Sequence, residues 1–479
     1  MKNQVIKFPV KETQVDLQND VTTYFIGSDN RDSNKYENIV LDDSSKYVQF
    51  VYDDNTTWFS NSETIHELFP EIKDANRDID TVFTIPTNLQ TSSENRGFIG
   101  QIALKVVRVF TKPILNRTVE TIATDLEDKH LNSREGLNMI NNKFELVDFK
   151  PDKKLADKPY LLFIHGTNSD TLGAFSGLQT NETFSKMVNL YDANILAYQH
   201  RTLTQSPLSN TVSLVKSLPN DITLHIISHS RGGLIGDILC KYSSNNDNFQ
   251  KGFSKEELNL LTKENRTNDL KQIQTLDDLL SSKKITVEKF IRVASPSAGT
   301  LLASERIDHL INVMFNMLGD KVNIIADLTH ELISSVLSKK NNIDVLPGLE
   351  AMNPQSPFIK VLNNRNPASA IDGKSLIVIS GNGKLSINFH GLLVILGKLF
   401  YLQRNDLVVN TDSMYLGVKR KSNIQYFFEE ANYVDHVHYF FNGSTQIAII
   451  NALKTAVGDI IPGYKSVSQL AVPASDRGI

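Results

Sequence analysis

The chain has 479 residues, 40% of them apolar and 22% charged, with a formal net charge of −4 at pH 7. Such a chain buries a large core and divides into more than one structural unit, and its charge balance offers no electrostatic footprint for nucleic acid. Its single cysteine excludes an intrachain disulfide, its first residues lack the apolar stretch of a signal peptide, and no uncharged apolar run reaches membrane-span length, so a cytoplasmic location is expected.

Residues 1 to about 40 are polar and rich in Asp, Asn and Lys, and are expected to form a loose arm. Lys46–Tyr52 and Thr56–Phe59 flank Asp53-Asp54-Asn55 and read as a β-hairpin; Leu68-Phe69-Pro70 and Thr81–Pro86 extend the β-rich character. Trp58 reads as a core anchor. The stretches Gly100–Phe110 and Val119–Leu126 carry helical spacing. A small β-rich N-terminal module at 1–100 and a helical connector at 101–150 are therefore expected, neither with a chemical motif.

From 151 to 460 strands alternate with helices, as in a mostly parallel sheet covered on both faces. Tyr160–Ile164 is a fully apolar strand running into His165-Gly166-Thr167. Ala193–Tyr198, Leu224–Ile227, Phe290–Ala294, Leu376–Ser380 and Ile424–Phe428 follow, and Thr445–Leu453 is a closing helix. Polar clusters follow the strands, where ligands bind in open α/β sheets. Two insertions interrupt the pattern. Residues 241–285 form a polar surface excursion. Residues 301–345 carry amphipathic helices, Ile307–Leu318 and Ile324–Leu337, expected over the strand ends as a lid or a fixed cap. The run 387–402 reads as a core or lid helix, and 461–479 as a tail.

Chemistry concentrates at Ser228-His229-Ser230-Arg231-Gly232-Gly233, between an apolar strand and a helix. This is the nucleophile-elbow pattern, with Ser228 in the first small position. A serine hydroxyl needs a base within hydrogen-bond reach, and the base an orienting carboxylate. In hydrolases of this topology the order is Ser, acid, His. Ser230 is followed by Asp406, with Asp412 as its rival, and by His436, with His438 as its rival. His165-Gly166-Thr167 ends the early strand, where one oxyanion donor is expected. Thr167 and Arg231 are assigned the two backbone N–H groups, and Gly166 permits close backbone approach. His225, His229 and His200 read as packing or pocket-shaping residues. No spacing of His, Asp or Glu suggests a metal site and no glycine-rich phosphate loop occurs, so no metal or cofactor is expected.

With these residues in place, the chain resembles the α/β-hydrolase superfamily, in particular lipases and esterases with an H-S-x-G-G elbow. The likeness spans about residues 158–455 and also takes in Ala294–Thr300, Asn405-Asp406-Leu407-Val408-Val409, and Pro347-Gly348-Leu349 with Met352–Pro357. Ser228 in place of the usual first Gly departs from it. The resemblance implies an α/β-hydrolase fold with helical lid insertions, a Ser230–Asp406–His436 triad, and cofactor-free ester hydrolysis through an acyl-enzyme. It makes an ester or lipid-like molecule the expected substrate and the lid helices an expected membrane-surface contact. Amide, thioester or acyl-transfer chemistry would use the same residues. A contrasting reading is a non-catalytic scaffold whose N-terminal module binds a protein partner.

Overall fold

The computed structural model describes residues 3–16, 20–27, 35–41, 46–69, 80–93, 98–111, 118–150, 158–243, 252–303, 307–318, 331–333, 335–336, 346–366, 369–382, 390–399, 405–429 and 434–467. The chain divides into two units. One is Met1–Ile122 with Ile307–Asn342 and Leu385–Leu402; the other is Ala123–Arg306 with Ile343–Lys384 and Gln403–Ile479.

The first unit is built on a largely antiparallel sheet. Its strands are β1 (Asn3–Asp16), β2 (Val21–Ile26), β3 (Lys35–Leu41), β4 (Tyr47–Tyr52), β5 (Thr57–Asn61), β6 (Asp80–Thr84), β7 (Asn88–Ser93) and β8 (Phe98–Phe110). The order is β3-β1-β2-β8-β4-β5, with β6 parallel to β1 and β7 antiparallel to β8. The β4–β5 hairpin matches its sequence pattern. The loose arm expected over 1–40 is instead three strands wherever it is described, because Val5, Ile6, Phe8 and Val10 supply a buried face.

Gly100–Phe110, expected to be helical, lies in β8. Ile102 and Leu104 are buried, then Val107 and Val109. Opposite β4 the register jumps, Val51 pairing with Val106 and Tyr52 with Leu104. This bulge at Lys105 resets the alternation, and the resulting three-residue step imitates a helical period.

Two helices from far along the chain complete this unit. Ile307–Leu318 lies along the edge strand β5. Asn312 accepts from the Phe59 N–H (2.8 Å) and donates to the Phe59 C=O (3.2 Å); Asn316 does the same for Thr57, both at 2.8 Å. The match is geometric. Four residues of helix rise about 6 Å and two residues of strand about 6.8 Å, so side-chain amides four apart meet strand residues two apart. The helix thereby saturates an edge that would otherwise invite pairing with another chain. The second helix, His390–Leu399, is capped by the β4–β5 turn, where the Asp54 carboxylate accepts from the Gly391 N–H at 2.5 Å. The insertion helix Ile307–Leu318, expected over the strand ends, is thus part of the unit holding the N-terminal sheet; Ile324–Leu337 lies largely outside the described residues. Asn312→Ala would strand the buried Phe59 N–H and C=O. The expected cost is about 1–3 kcal/mol, read in calorimetry as a fall of roughly 2–4 °C per kcal/mol for a unit of this size.

The second unit holds the nine-stranded sheet β10-β9-β12-β11-β13-β14-β15-β16-β17. Its strands are β9 (Gly136–Ile140), β10 (Leu146–Asp148), β11 (Tyr160–Ile164), β12 (Ile195–Gln199), β13 (Ile222–His229), β14 (Ile285–Val293), β15 (Leu376–Gly381), β16 (Ile424–Glu429) and β17 (Lys465–Val467). The expected parallel order is confined to the six strands from β12 to β16 in this order; both margins are antiparallel, so the sheet is mixed. For the β9–β10 pair the reason is local. A turn through Asn141–Glu145, with the Asn141 side chain accepting from the Lys143 and Glu145 N–H groups, is too short to join parallel strands. The central strands are buried on both faces, which explains their unbroken apolar runs. Because they run parallel, His165, His200, Ser230 and Ser295 all follow strands at one edge of the sheet.

The 241–285 excursion is the helices Lys255–Lys263 and Thr267–Ser282. A capping box at Ser254 and Glu257 starts the first, and a buried Lys241–Glu257 ion pair (2.9 Å) ties it to the helix Gly232–Tyr242. Among the described residues no helix is long and apolar enough to cross a membrane.

Candidate active site

β13 ends at His229, and Ser230 turns the chain into the helix Gly232–Tyr242. Ser230 has φ +52°, left-handed backbone that costs a non-glycine residue about 1–2 kcal/mol. The surroundings hold it there: its N–H donates to Val293 O and its C=O accepts from the Gly233 N–H, both at 2.9 Å. Strain of this kind lifts a side chain clear of the sheet edge. The glycines have steric reasons. A Cβ on Gly232 would lie 2.4 Å from Ile164 O, and one on Gly166 would lie 2.6 Å from Ser230 Cβ. The His165-Gly166-Thr167 loop is therefore in contact with the elbow.

The Ser230 hydroxyl lies 2.8 Å from His436 Nε2, and His436 Nδ1 lies 2.9 Å from Asp406 Oδ2. Asp406 is fully buried in a turn closed by the Asn405–Asn410 bridge. Its other oxygen accepts from the N–H groups of Val408 (3.2 Å) and Val409 (2.8 Å), and its C=O accepts from the His436 N–H. A carboxylate only accepts, so the contact with Asp406 calls for a donor at His436 Nδ1 and leaves Nε2 to face the Ser230 hydroxyl as acceptor.

The structure thus brings Ser230, His436 and Asp406 into one hydrogen-bonded chain. It sets the rivals elsewhere. His438 pairs with Asp435 (2.7 Å), and Asp412 sits in the first turn of the helix Thr411–Tyr415. Burial and the nearby Asp406 carboxylate push the Tyr439 phenol well above its ordinary pKa.

Thr167 and Arg231 flank the same serine. Among the described residues neither backbone N–H meets an acceptor. The Thr167 N–H is oriented indirectly. His165 Nδ1–H donates to Gly166 O (3.0 Å), and His165 Nε2 accepts from the His200 N–H (3.2 Å). The Gly166 C=O and the Thr167 N–H belong to one planar peptide, so pinning the first fixes the direction of the second. This arrangement needs a neutral ring, and burial pushes the His165 pKa down to about 4. His200 is likewise pushed well below its ordinary value by burial, with His165 beside it next in effect. Gly166→Ala should displace this peptide. If the site turns over substrate as proposed below, the expected result is a loss of activity of roughly 100-fold, as for a misplacement of about 1 Å, together with a destabilisation of about 1–3 kcal/mol from the overlap with Ser230 Cβ.

The Arg231 side chain binds the loops around the elbow. It is fully buried, donates to Gly348 O and Asn210 Oδ1 (both 3.0 Å) and to Gln205 O, and its pKa is lowered to about 10 by burial. Glu127, raised by burial, accepts from the N–H groups of Thr202 (2.5 Å) and Leu203 (2.6 Å) and from the Thr204 hydroxyl.

His229 makes a contact the sequence reading missed. Its Nε2 lies 2.7 Å from the C=O of His436. Only its place beside Ser230 hinted at this. Among the described residues no group of three or more His, Cys, Asp or Glu could hold a metal ion, and Cys240 is buried.

The family model described as "Domain of unknown function (DUF7379)" matches residues 134–281 and 271–454. No curated protein matches the sequence. Among solved structures the chain is similar to Bacillus licheniformis lipase BlEst2 in mature form (14% identity, 64% of this chain and 96% of that one, TM-score 0.34). It is also similar to lipase 1 from Pelosinus fermentans (15%, 63% and 99%, 0.38) and to EstA from Clostridium botulinum (14%, 72% and 100%, 0.39). The matched residues run from β9 to the helix Gly443–Lys454 and include Ser230, Asp406 and His436, and the chain belongs to the family of this domain of unknown function, DUF7379.

Proposed function

We propose that the chain is a serine hydrolase of the α/β-hydrolase kind that cleaves carboxylic esters through a covalent acyl-enzyme. The observation that carries this is the unbroken sequence Ser230 Oγ–His436 Nε2 at 2.8 Å and His436 Nδ1–Asp406 at 2.9 Å, on a strained elbow. Ser230 Oγ attacks the ester carbonyl while His436 takes its proton. The tetrahedral oxyanion lies between the Thr167 and Arg231 N–H groups, donors each worth roughly 2.7–4 kcal/mol in the transition state. His436 then protonates the leaving alcohol, and the acyl group stays on Ser230. Water attacks with His436 as base, releasing the acid and restoring the serine. Asp406 keeps the ring in the right tautomer and stabilises the imidazolium.

Amides and thioesters would follow the same path, since the site rather than the fold sets the substrate. The test is a p-nitrophenyl ester series from acetate to palmitate, run beside labelling with a fluorophosphonate. Label on the Ser230 peptide and turnover rising with chain length are expected. A chain neither labelled nor active would leave the scaffold reading in its place.

A further inference from the structure

We propose that His229 is a positioning residue for the base, holding the main chain of His436 from the strand that carries the nucleophile; this deepens, and rests on, the reading of Ser230 and His436 as nucleophile and base. The contact is the 2.7 Å hydrogen bond from His229 Nε2 to His436 O. A carbonyl only accepts, so Nε2 carries the proton and Nδ1 is bare. Among the described residues Nδ1 meets no partner. The ring is enclosed, edge-on to Phe440 at 5.6 Å and tilted against the His436 ring at 5.0 Å.

This ring is unsuited to proton transfer and suited to holding. Its one N–H is committed to a carbonyl rather than to the Ser230 hydroxyl. Burial, with His436 next in effect, pushes its pKa down to about 3. It therefore stays neutral when His436 gains a proton, and keeps donating through the whole cycle.

What it holds is the less secured side of the base. On its N-terminal side His436 is fixed twice to Asp406, main chain to main chain (2.9 Å) and ring to carboxylate (2.9 Å). On its C-terminal side the turn is local, His438 N–H to Asp435 O (3.1 Å). The His229 bond ties that side to the residue preceding Ser230, whose own N–H is fixed to Val293. Nucleophile and base thus share one anchor, and the Ser230–His436 distance is set by adjacent residues of β13 and the elbow rather than by the loop of the base alone. A displacement of about 1 Å at such a pair costs roughly 100-fold in rate.

The test uses the full chain and two variants. His229→Phe keeps the ring shape and removes the donor; His229→Gln places an amide N–H where Nε2 stands. For His229→Phe, kcat on a p-nitrophenyl ester should fall roughly 10- to 100-fold with KM within about twofold of wild type. Fluorophosphonate labelling of Ser230 should slow by the same factor. His229→Gln should recover most of both, which a role in packing alone would not produce. Wild-type kcat and labelling in His229→Phe would overturn the inference, and so would equal losses in the two variants. A wild-type chain that is neither labelled nor active would overturn the hydrolase reading itself and this inference with it.

Discussion

Ser230→Ala is expected to lower kcat on p-nitrophenyl esters by about 10⁴- to 10⁶-fold and to abolish fluorophosphonate labelling, leaving only what the oxyanion donors and binding contribute. Its Tm should stay within a degree or two of wild type, because the hydroxyl makes one bond and the left-handed backbone is equally strained with Ala. Ser230→Gly separates the two properties. It is equally inactive, yet relief of the +52° φ should raise stability by about 1 kcal/mol, since glycine adopts that conformation freely. A more stable, inactive Gly variant in calorimetry would show strain held for chemistry. Retained labelling in either variant would remove Ser230 from the proposed role.

Asp406→Asn should have the second largest effect, about 10⁴-fold in kcat with KM little changed. The amide oxygen can still accept from the Val408 and Val409 N–H groups, so the turn should survive. The amide nitrogen, however, donates where the carboxylate accepts. His436 must then turn its bare nitrogen toward residue 406 and its N–H toward Ser230, the wrong tautomer for a base. Steady-state kinetics with circular dichroism decides it: lost kcat with an unchanged spectrum is the expected pair. A loss below about tenfold would mean that the carboxylate orients nothing.

The parts that were legible in the sequence are those where one physical cause dominates. Tyr160–Ile164 and Leu376–Ser380 read as strands because strands covered on both faces are apolar throughout. The elbow was legible because close approach at Gly232 and left-handed backbone at Ser230 restrict residue type. The order Ser230, Asp406, His436 was visible, but alternation gives His436 and His438 the same parity and did not separate them. Their segment is a turn in which parity has no meaning, and Asp435, three residues before His438, takes that ring as partner. β9 and β10 are too short to show a period, and the bulge in β8 disguised a strand as a helix. The tie from His229 to a backbone carbonyl, and those of Asn312 and Asn316 to β5, leave no pattern, because a main-chain acceptor exists at every residue.

The Asn312 and Asn316 bonds also bear on how the protein is made. β5 and β8 leave the ribosome early, whereas the helix that covers the β5 edge is encoded roughly 200 residues later and the helix His390–Leu399 later still. At about 5–20 residues per second the young sheet waits roughly 10–40 s with that edge bare. Over that interval, nascent chains on neighbouring ribosomes offer each other the hydrogen-bond partners that Asn312 and Asn316 eventually supply. Synthesis rate and chaperone supply, more than final stability, should therefore govern the yield of native chain, and a fragment ending near residue 122 should associate with itself rather than stand alone.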